Sequence, residues 1–586
     1  MSLSRLLRSF IRRHWVSYAA SAAMLTGITV LNVAIPRKFG TIIDGLVAGR
    51  LSGTALLWQL AIPIACGVAI YLLRVGWRKV LFSAAYRFGL QLRTDLYARL
   101  SLQGPAFYQR QRTGDLMALA TNDIDAIEMV AGEAMLAGYD GSTTLVIVLG
   151  TMLFGVDWRL TLVALLPLPL MGIAFWFVSN RVHDASREAL DRFSDLNDHV
   201  LETLSGVRTL RALGLERRVG AQFSELAGRA ADSSLKAQRW EAAYEPAVGI
   251  SLAASATLAL LMGGYLVWQG QLSIGALTSF NMYLGQLIWP MFAAGWVLSL
   301  IERGKAAWKR LEPVMSEALA VGDDGSVDVV QTGTLTAHGI SYSYPGQTHP
   351  ALSQVSFSLP AGQTLGLVGP TGSGKSTLLR LLLRQYDANA GSIHWSGREL
   401  HEYRLAALRR AASWVPQESF LFSASVADNI ALAKPDASRT EIEHVAKLAA
   451  VHDDIMRLPK AYETVVGERG ITLSGGQRQR VAIARALLGG GALLLLDDAL
   501  SAVDTGTEAQ ILAHFQELRQ AGSADHSRSV VIVSHRLSSV ADADHILVLR
   551  EGRVVESGSH QILLDHGGWY AAQWQYQQLE ESLDAL

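Results

Sequence analysis

The sequence of 586 residues has little cysteine, no excess of charge of either sign and no low-complexity tract. Its lone cysteine, Cys66, excludes an intrachain disulfide and a cysteine-based metal site, and its apolar neighbours indicate a packing role. The formal net charge is -1, whereas proteins that bind nucleic acid normally carry a basic excess that neutralises phosphates. The composition therefore argues against a nucleic-acid partner.

Charge is also absent from long stretches in the first half of the chain. Residues 246–301 contain no charged side chain, which is enough for about two bilayer crossings of ~20 residues each, joined by a polar turn from Gln269 to Gln271. The first predicted span is not expected to be a cleaved signal peptide, because another hydrophobic span follows it. Residues 1–311 are thus predicted to form an all-α transmembrane domain with six spans. The other predicted spans are residues 15–35, 55–73, 134–156 and 161–178.

Basic residues and long polar segments predict the topology of these spans. Arg5, Arg8, Arg12 and Arg13 precede the first span, so the positive-inside rule places the N-terminus in the cytoplasm. An even number of spans returns the second half of the chain to the same side. The charged segments after the second and fourth spans are too long for loops without structure of their own. We therefore expect membrane helices that extend far into the cytoplasm.

The second half of the chain changes character at about Leu335. From there, short apolar strands alternate with helical stretches, which is typical of a soluble α/β domain with a partly parallel sheet. Residues 312–334 are predicted to be a linker. The predicted fold is therefore multidomain, with the six-helix transmembrane domain followed by an α/β domain over residues 335–586.

The clearest motif of the α/β domain is a glycine-rich stretch that precedes a helix. Its glycines let the backbone curl so that N–H groups face phosphate oxygens, Lys375 reaches the β/γ-phosphates, and the Ser376 hydroxyl binds Mg²⁺. A later apolar run ends at Asp497 and indicates a buried strand that delivers a carboxylate to the same metal. These features predict a site for ATP and Mg²⁺. The predicted loop comprises Gly369, Pro370, Thr371, Gly372, Ser373, Gly374, Lys375, Ser376 and Thr377.

An ordered set of motifs resembles a known family. The P-loop, Gln417, the stretch from Leu473 to Gln477, Asp497 and His535 are similar to the nucleotide-binding domain of an ATP-binding cassette (ABC) transporter. With its spans, the whole chain resembles an exporter-type half-transporter with the type I exporter, or type IV, fold. Within the family it is most similar to the bacterial multidrug resistance-like half-transporters that work as heterodimers.

The resemblance implies an activity, a location and partners. It implies an ATPase coupled to transport, in the bacterial inner membrane, with both termini in the cytoplasm. The implied partners are the lipid bilayer, a second half-transporter and a small-molecule, lipid or peptide substrate. Efflux of hydrophobic or amphipathic compounds is the expected function. The alternatives are import of siderophore-like compounds on the same fold, or a nucleotide-gated regulatory channel subunit.

The resemblance also implies roles for residues around the nucleotide. Tyr344 would stack on the adenine, Gln417 would meet Mg²⁺ and the attacking water, and His535 would contact the γ-phosphate. Asp504 would lie in a loop that crosses to the other subunit. The signature residues would present a helix N-terminus to the γ-phosphate of the partner, so that catalysis requires a dimer. They are Ser474, Gly475, Gly476 and Gln477.

One residue departs from the family pattern. The residue after the metal aspartate is usually a glutamate that acts as the general base, and here it is Asp498. Loss of one methylene withdraws the carboxylate by roughly 1.5 Å, and a misplacement of ~1 Å can cost about 10²-fold in rate. We expect this site to bind ATP well and hydrolyse it slowly, which favours a partner chain with a glutamate. The alternative is that backbone adjustment or a water lets Asp498 act as the base.

The substrate route and the docking segments are less specified by the sequence. Glu133 and Asp140 lie two helical turns apart on one face of the third span, and either line a substrate or cation route or remain in its cytoplasmic extension. Aromatic residues of the last spans either line a drug cavity or pack between helices; they are Phe280, Tyr283, Trp289 and Trp296. Short segments near residues 113–116 and 211–216 resemble the two coupling helices that dock on nucleotide-binding domains; the alternative is that they are ordinary solvated turns between long helices.

Overall fold

The computed structural model of the chain describes residues 2–467, 473–520 and 528–584. The chain folds into two units. Unit 1 comprises residues 1–101 and 114–317, and unit 2 comprises residues 102–113 and 318–586. Unit 1 contains the hydrophobic spans, and unit 2 contains the α/β domain.

Unit 1 is helical, and among the described residues six helices are long and apolar enough to cross a membrane. This confirms the six predicted spans. They contain 33 to 53 residues each, or about 50–80 Å at ~1.5 Å per residue, whereas the hydrocarbon core of a bilayer is about 30 Å thick. Each is therefore long enough to extend beyond a membrane. The helices are span 1 (Trp15–Val47), span 2 (Gly53–Leu102), span 3 (Thr113–Val156), span 4 (Trp158–Ser205), span 5 (Glu216–Trp268) and span 6 (Ile274–Ser316).

Spans 1 and 6 pack closely through small residues. A Cβ atom at Gly40 would meet Ser279 Oγ at 2.1 Å and the Gly275 carbonyl oxygen at 2.5 Å, so the close approach requires glycine. Ser279 Oγ donates a hydrogen bond to the Pro36 carbonyl at 2.8 Å. The Gly275 N–H donates to the Asp44 carboxylate at 2.7 Å. These contacts fix the start of span 6 against the end of span 1.

Span 3 departs from a regular α-helix. It contains three π-helical turns, at Leu119–Asp123, Val130–Ala134 and Thr151–Val156. A π turn accommodates an extra residue within a helix and is frequent at functional sites. Glu133 lies in the second of these turns. The shorter helices of unit 1 are Leu3–Arg13, before span 1, and Val207–Ala212, between spans 4 and 5.

The described residues of unit 2 form two β-sheets. The strands are β1 (Leu335–Tyr342), β2 (Leu352–Leu359), β3 (Thr364–Val368), β4 (Ala390–Trp395), β5 (Arg398–Glu399), β6 (Ala412–Val415), β7 (Leu493–Asp497), β8 (Ser529–Val533), β9 (His545–Arg550) and β10 (Arg553–Gly558). The larger sheet has the order β10-β9-β3-β8-β7-β6 and is parallel except for β10. Its strands β3, β7 and β8 are buried throughout, as parallel strands usually are. The smaller sheet, β2-β1-β4-β5, is antiparallel.

Three helices of unit 2 position the candidate site. They are the P-loop helix (Lys375–Leu382), which contacts β7, the signature helix (Gly475–Gly489), which contacts β6, and the C-terminal helix (Trp569–Asp584). The other helices are Pro105–Arg110, Leu405–Ala411, Val426–Ala431, Arg439–Leu448, His452–Met456, Thr505–Gln520 and His560–His566, with 3₁₀ turns at Leu400–Glu402, Ala461–Glu463 and Leu537–Val540.

The ends of the two units differ from the predicted domain limits. Span 6 continues to Ser316, so the first part of the predicted linker 312–334 is helical. The second segment of unit 2 begins at residue 318, so the rest of the predicted linker belongs to unit 2. Leu311 and Val314 remain buried beyond the last apolar run of the span, which favours continuation of the helix.

The first segment considered for docking lies at the start of span 3. Residues 113–116 belong to the helix Thr113–Ala118. Just before it, the helix Pro105–Arg110 belongs to unit 2, where Ala106 joins the hydrophobic core of the α/β domain. Proline at the first position of this helix favours its start, because the missing N–H would have no helical partner there. Between spans 4 and 5, the segment 211–216 includes the end of the helix Val207–Ala212.

Candidate functional site

The glycine-rich loop predicted to bind phosphate connects β3 to the P-loop helix. The backbone has φ of 142° at Gly369 and 103° at Gly374, values that residues with side chains rarely adopt. A Cβ atom at Gly369 would lie 2.0 Å from the Leu549 carbonyl oxygen, and one at Gly374 would lie 2.4 Å from that of Ala351. Both positions therefore require glycine, and the loop curls tightly against neighbouring backbone.

This loop borders a cavity of about 450 Å³. Gln417 follows β6, Asp497 ends β7 with Asp498 directly after it, and His535 follows β8. Because these strands are parallel neighbours, their C-terminal ends meet at one edge of the sheet, where ligands usually bind in such folds. Of the predicted site residues, the cavity is lined by Tyr344, Thr371, Gly372, Ser373, Gly374, Lys375, Ser376, Thr377, Gln417, Asp497, Asp498 and His535.

Lys375 places a buried positive charge at this cavity. Only 5% of the residue is exposed, and its ammonium donates to the carbonyl oxygens of Gly369 and Pro370 at 2.8 and 2.9 Å. Burial lowers the pKa of Lys375, and the negative charges of Asp498 and Asp497 oppose that shift. The carbonyl dipoles stabilise the ammonium without neutralising it, so the position suits a polyphosphate ligand.

Ser376 and Asp497 form a part of the cavity that suits a divalent cation. Ser376 Oγ donates to Asp497 Oδ1 at 2.7 Å, and Gln417 lines the same cavity. Burial raises the pKa of Asp497, and the hydrogen bond from Ser376 opposes the shift. Mg²⁺ prefers oxygen ligands and is commonly held by one or two protein groups, with phosphates and water completing its shell. The three side chains therefore fit Mg²⁺.

Tyr344 lies just after β1, at the side of the cavity. Its hydroxyl is 3.0 Å from Thr377 Oγ1 and accepts a hydrogen bond from Arg380 Nη1 at 3.3 Å. Its ring makes edge contacts with Tyr342 and Tyr386, at centroid distances of 5.1 and 5.5 Å. These contacts hold the half-buried ring in one orientation beside the cavity.

Asp498 has an unusual backbone that is fixed on both sides. Its φ is 51°, in the left-handed region that aspartate and asparagine enter more readily than longer side chains. Its N–H donates to the Val533 carbonyl at 2.9 Å, and its own carbonyl accepts from Ser501 Oγ at 2.9 Å. Moving this backbone to advance the carboxylate would break hydrogen bonds worth about 1 kcal/mol each. The geometry therefore opposes backbone adjustment as a way to restore the reach of a glutamate.

The C-terminal helix holds the loop that carries His535. Gln577 Nε2 donates to the His535 carbonyl at 2.8 Å, and the Leu537 N–H donates to Gln577 Oε1 at 2.8 Å. One side-chain amide thus fixes the backbone on both sides of Arg536. The sequence does not predict this role, because no motif distinguishes Gln577 from the adjacent glutamine, Gln578.

Arg536 joins the His535 loop to the loop that carries Asp504. Arg536 Nη1 donates to the Val503 carbonyl at 3.1 Å and to Glu508 Oε2 at 2.8 Å. Glu508 is only 4% exposed, so its charge is compensated mainly within the protein. Arg536 and Glu508 were also absent from the predicted site. The burial of Glu508 would have indicated this role, but the sequence pattern of the helix does not show that Glu508 is buried.

The signature residues start the signature helix and do not line the cavity beside the P-loop. Ser474 Oγ accepts from the Gln477 N–H at 3.2 Å, and Gln477 Oε1 accepts from the Ser474 N–H at 3.0 Å, which forms a capping box. Ser474 and Gly475 are exposed. A Cβ atom at Gly476 would lie 2.6 Å from the Ala502 carbonyl oxygen, so this glycine allows the helix to approach the following loop.

Asp504 is placed at the end of that loop, also outside the cavity lining. Its Oδ1 accepts from the Thr507 N–H at 2.9 Å, which caps the helix Thr505–Gln520 and lowers the pKa of Asp504. Gln479 of the signature helix accepts from the Ala502 N–H at 3.0 Å and donates to Ser501 Oγ at 3.2 Å. Gln479, which the sequence did not single out, therefore connects the signature helix to the Asp504 loop.

The residues considered for a substrate route in unit 1 fall into two groups. Phe280 and Tyr283 are buried in the packing between helices, with 0% and 1% exposed. The other four residues line a second cavity of about 710 Å³. They are the acidic residues Glu133 and Asp140 and the aromatic residues Trp289 and Trp296.

Comparisons with known proteins agree across the whole chain. Residues 19–291 match the family model for the ABC transporter transmembrane region, and residues 352–501 match that for the ABC transporter. The chain is 43% identical over 585 residues to the multidrug resistance-like ATP-binding protein MdlA of Escherichia coli (strain K12), covering 100% of this chain and 98% of that protein. It is 39% identical to MdlA of Buchnera aphidicola subsp. Schizaphis graminum, with full coverage of both chains, 100% and 100%. A bacterial Atm1-family ABC exporter with ATP bound superimposes with a TM-score of 0.75 at 29% identity, covering 97% of this chain and 98% of that one.

Proposed function

Because the chain belongs to the ATP-binding cassette (ABC) transporter family, we propose that it forms one half of a heterodimeric exporter of hydrophobic or amphipathic compounds. It is a multi-pass membrane protein with the exporter fold, and its ATPase domain is coupled to transmembrane transport. The proposed location is the bacterial inner membrane, with both termini in the cytoplasm. The observation that carries the proposal is the cavity at the ends of β6, β7 and β8, which joins the P-loop to two carboxylates.

The cavity supports specific roles in binding and hydrolysing ATP. The P-loop backbone and Lys375 bind the phosphates, and Tyr344 stacks on the adenine. Ser376, Asp497 and Gln417 would hold Mg²⁺, which when bound neutralises charge on the phosphate oxygens. His535 contacts the γ-phosphate. Asp498 is the carboxylate nearest in sequence to the metal ligand and orients the attacking water.

The proposed assembly follows from the position of the signature helix. Its N-terminus, at Ser474, is exposed and outside the cavity of this chain's own P-loop. An exposed helix N-terminus has free N–H groups and a favourable dipole for an anion. In the proposed dimer it contacts the γ-phosphate bound to the partner chain, and the loop before Asp504 crosses to that chain.

The two composite sites of the dimer are proposed to be unequal. The site built on this chain's P-loop has the short carboxylate of Asp498, held on a backbone with two fixed hydrogen bonds. It therefore binds ATP and turns it over slowly. The partner is proposed to carry a glutamate at the matching position, and its P-loop would face this chain's signature, which has all of its expected residues.

The proposed substrate class and direction rest on unit 1 and on the named relatives. The two MdlA proteins are named multidrug resistance-like, and the 710 Å³ cavity has both aromatic and charged walls. Closure of the nucleotide-binding domains would switch such a cavity from inward to outward access. A cavity of this size falls within the usual range for small-molecule sites, about 300–1,000 Å³.

The test is to isolate the complex and measure transport. Co-purification from native membranes identifies the second chain, and the complex is then reconstituted in proteoliposomes with externally accessible nucleotide-binding domains. ATP should drive an amphipathic fluorescent dye into the lumen against its gradient, and Lys375→Ala in this chain should weaken that activity. ATP-dependent flow only down a gradient would instead identify a channel. ATP-driven movement out of the lumen would identify an importer.

A further inference from the structure

The 710 Å³ cavity of unit 1 contains charged groups without ion-pair partners. Arg74 and Arg78 of span 2 line it one helical turn apart, which places them on one side of that helix. Glu133 and Asp140 of span 3 line the same cavity. Among the described residues, no ion pair within 4.0 Å involves Arg74, Arg78 or Glu133. Arg74 and Arg78 are exposed and Glu133 is half-buried, so these charged groups are accessible to a ligand in the cavity.

Arg74, Arg78 and Glu133 lie at the ends of the apolar runs predicted over residues 55–73 and 134–156, and Asp140 lies within the second run. A charged side chain within a membrane-spanning segment is costly and commonly marks the route of a substrate or an ion. Two adjacent guanidinium groups form planar hydrogen bonds that match phosphate and carboxylate groups. The wall formed by Arg74 and Arg78 thus suits an anionic group.

The acidic residues of span 3 and the tryptophans of span 6 suit a cation. Trp289 Nε1 donates to Asp140 Oδ2 at 2.9 Å, which fixes one indole beside a carboxylate. The rings of Trp289 and Trp296 lie 6.4 Å apart at 60° to one another. Ammonium groups bind to the faces of tryptophan rings at up to about 6 Å from the centroid. Glu133, on the same helix as Asp140, adds a second negative charge to this wall.

The remaining lining includes apolar side chains, such as Leu25, Ile28 and Leu136. We propose that this cavity selects zwitterionic amphiphiles, with the anionic group at Arg74 and Arg78 and the ammonium group between Glu133 and the two tryptophans. The proposal rests on the proposed function, because it names the substrate class of that exporter. A zwitterion can place its anionic group beside the arginines and its ammonium group beside Glu133. A simple anion pairs only with the arginines, and a simple cation is repelled by them.

The test compares four probes that share a dodecyl chain and differ only in the head group. Dodecylphosphocholine is zwitterionic, dodecyl phosphate is anionic, dodecyltrimethylammonium is cationic and dodecyl maltoside is neutral. Binding to the full-length protein is measured without nucleotide in phosphatidylglycerol nanodiscs, with binding to empty nanodiscs subtracted. The zwitterionic probe should bind most tightly. Free phosphocholine, tested in parallel, should bind much more weakly, because it lacks the chain that contacts the apolar lining.

Substitutions on the two walls should have opposite effects on the charged probes. Arg78→Gln should weaken dodecylphosphocholine and dodecyl phosphate by about tenfold, the loss expected for a hydrogen bond to a charged group, and should not weaken dodecyltrimethylammonium. Glu133→Gln should weaken the zwitterionic and cationic probes and spare the anionic one. Arg87→Gln on span 2 and Glu245→Gln on span 5 are matched controls, since both residues are exposed and neither lines the cavity. Both controls should leave all probes unchanged.

Several outcomes would overturn the inference. Equal binding of the zwitterionic and anionic probes, with no effect of Glu133→Gln, would show an anion site only. Equal losses in the controls would show general partition into the bilayer, and tight binding of free phosphocholine would show a head-group site without an amphiphile. The proposed function is tested separately by ATP-driven dye transport. If that transport occurs while probe selectivity is missing, only the zwitterion inference fails; if selectivity is present without ATP-driven movement, the exporter proposal fails.

Discussion

Replacement of Asp498 by glutamate provides a direct test of why this site should hydrolyse ATP slowly. Asp497→Asn removes the carboxylate that hydrogen-bonds Ser376, whereas Asp498→Glu leaves that contact in place and extends the adjacent carboxylate by about 1.5 Å, one C–C bond. If reach is the limiting factor, the longer side chain should raise the rate of ATP hydrolysis.

The expected magnitude follows from two opposing effects. Correction of a misplacement of about 1 Å can restore up to ~10²-fold in rate, equivalent to about 2.7 kcal/mol of activation free energy. Against this, the left-handed backbone at Asp498, with φ of 51°, disfavours glutamate more than aspartate, by up to about 1–2 kcal/mol of folding free energy. The variant should therefore be faster and somewhat less stable.

The assay uses the full-length chain purified alone in nanodiscs, so that any dimer carries two equal sites. Steady-state ATPase rates are measured for the wild type, Asp498→Glu, Asp498→Asn and Asp497→Asn, with thermal unfolding as the stability measurement. Wild type should be slow, Asp498→Glu faster by up to about 10²-fold, and Asp497→Asn inactive. The reasoning is refuted if the purified wild-type chain turns over rapidly, or if Asp498→Glu binds ATP and is no faster than the wild type.

Other predictions concern binding, assembly, loop position and pH. Lys375→Ala should abolish high-affinity ATP binding at this chain's site, measured by equilibrium binding, because it removes the buried charge at the cavity; unchanged affinity would contradict the P-loop role. In the complex with the partner, Ser474→Arg should reduce ATPase activity far more than Asp498→Asn, and equal losses would contradict unequal sites. Gln577→Leu should lower kcat with little change in the KM for ATP, because it releases the His535 backbone, and Gln578→Leu is the control; equal effects would assign both to general stability. Burial raises the pKa of Asp497, so this carboxylate should become protonated at a higher pH than an ordinary aspartate. The apparent Mg²⁺ affinity should therefore begin to fall at that higher pH on acidification. An affinity that does not change with pH would exclude Asp497 as a ligand.

The order of motifs allowed much of the site to be predicted from the sequence. Gln417, Asp497 and His535 follow separate strands, and any parallel sheet that makes those strands neighbours brings their C-terminal ends together. The six spans were equally predictable, because an apolar run of about 18 or more residues with few charges is typical of a membrane-spanning helix. These predictions depend on local sequence patterns, because the position of each motif follows from the strand or helix that it begins or ends.

Contacts between a side chain and a distant backbone were not predictable in this way. Gln577 holds the loop of His535 through two backbone groups, yet it lies among other glutamines on an amphipathic helix. The membership of Pro105–Arg110 in unit 2 was unpredictable for a related reason. Pro105–Arg110 is short, and its membership of unit 2 depends on the burial of Ala106 in a core formed by residues far away in the sequence.

The network around Asp498 suggests why a slow site can remain a useful one. Gln479 holds the Asp504 loop to the signature helix, and Arg536 holds the same loop to the segment of His535. None of these contacts uses the carboxylate of Asp498, so its shortened reach does not remove the connections between the elements proposed to contact ATP. Binding of ATP can therefore still bias the positions of these loops, since a ligand shifts an equilibrium by its differential affinity and does not need to be hydrolysed. In the proposed heterodimer, this site would hold the two domains together while turnover at the other site drives the transport cycle.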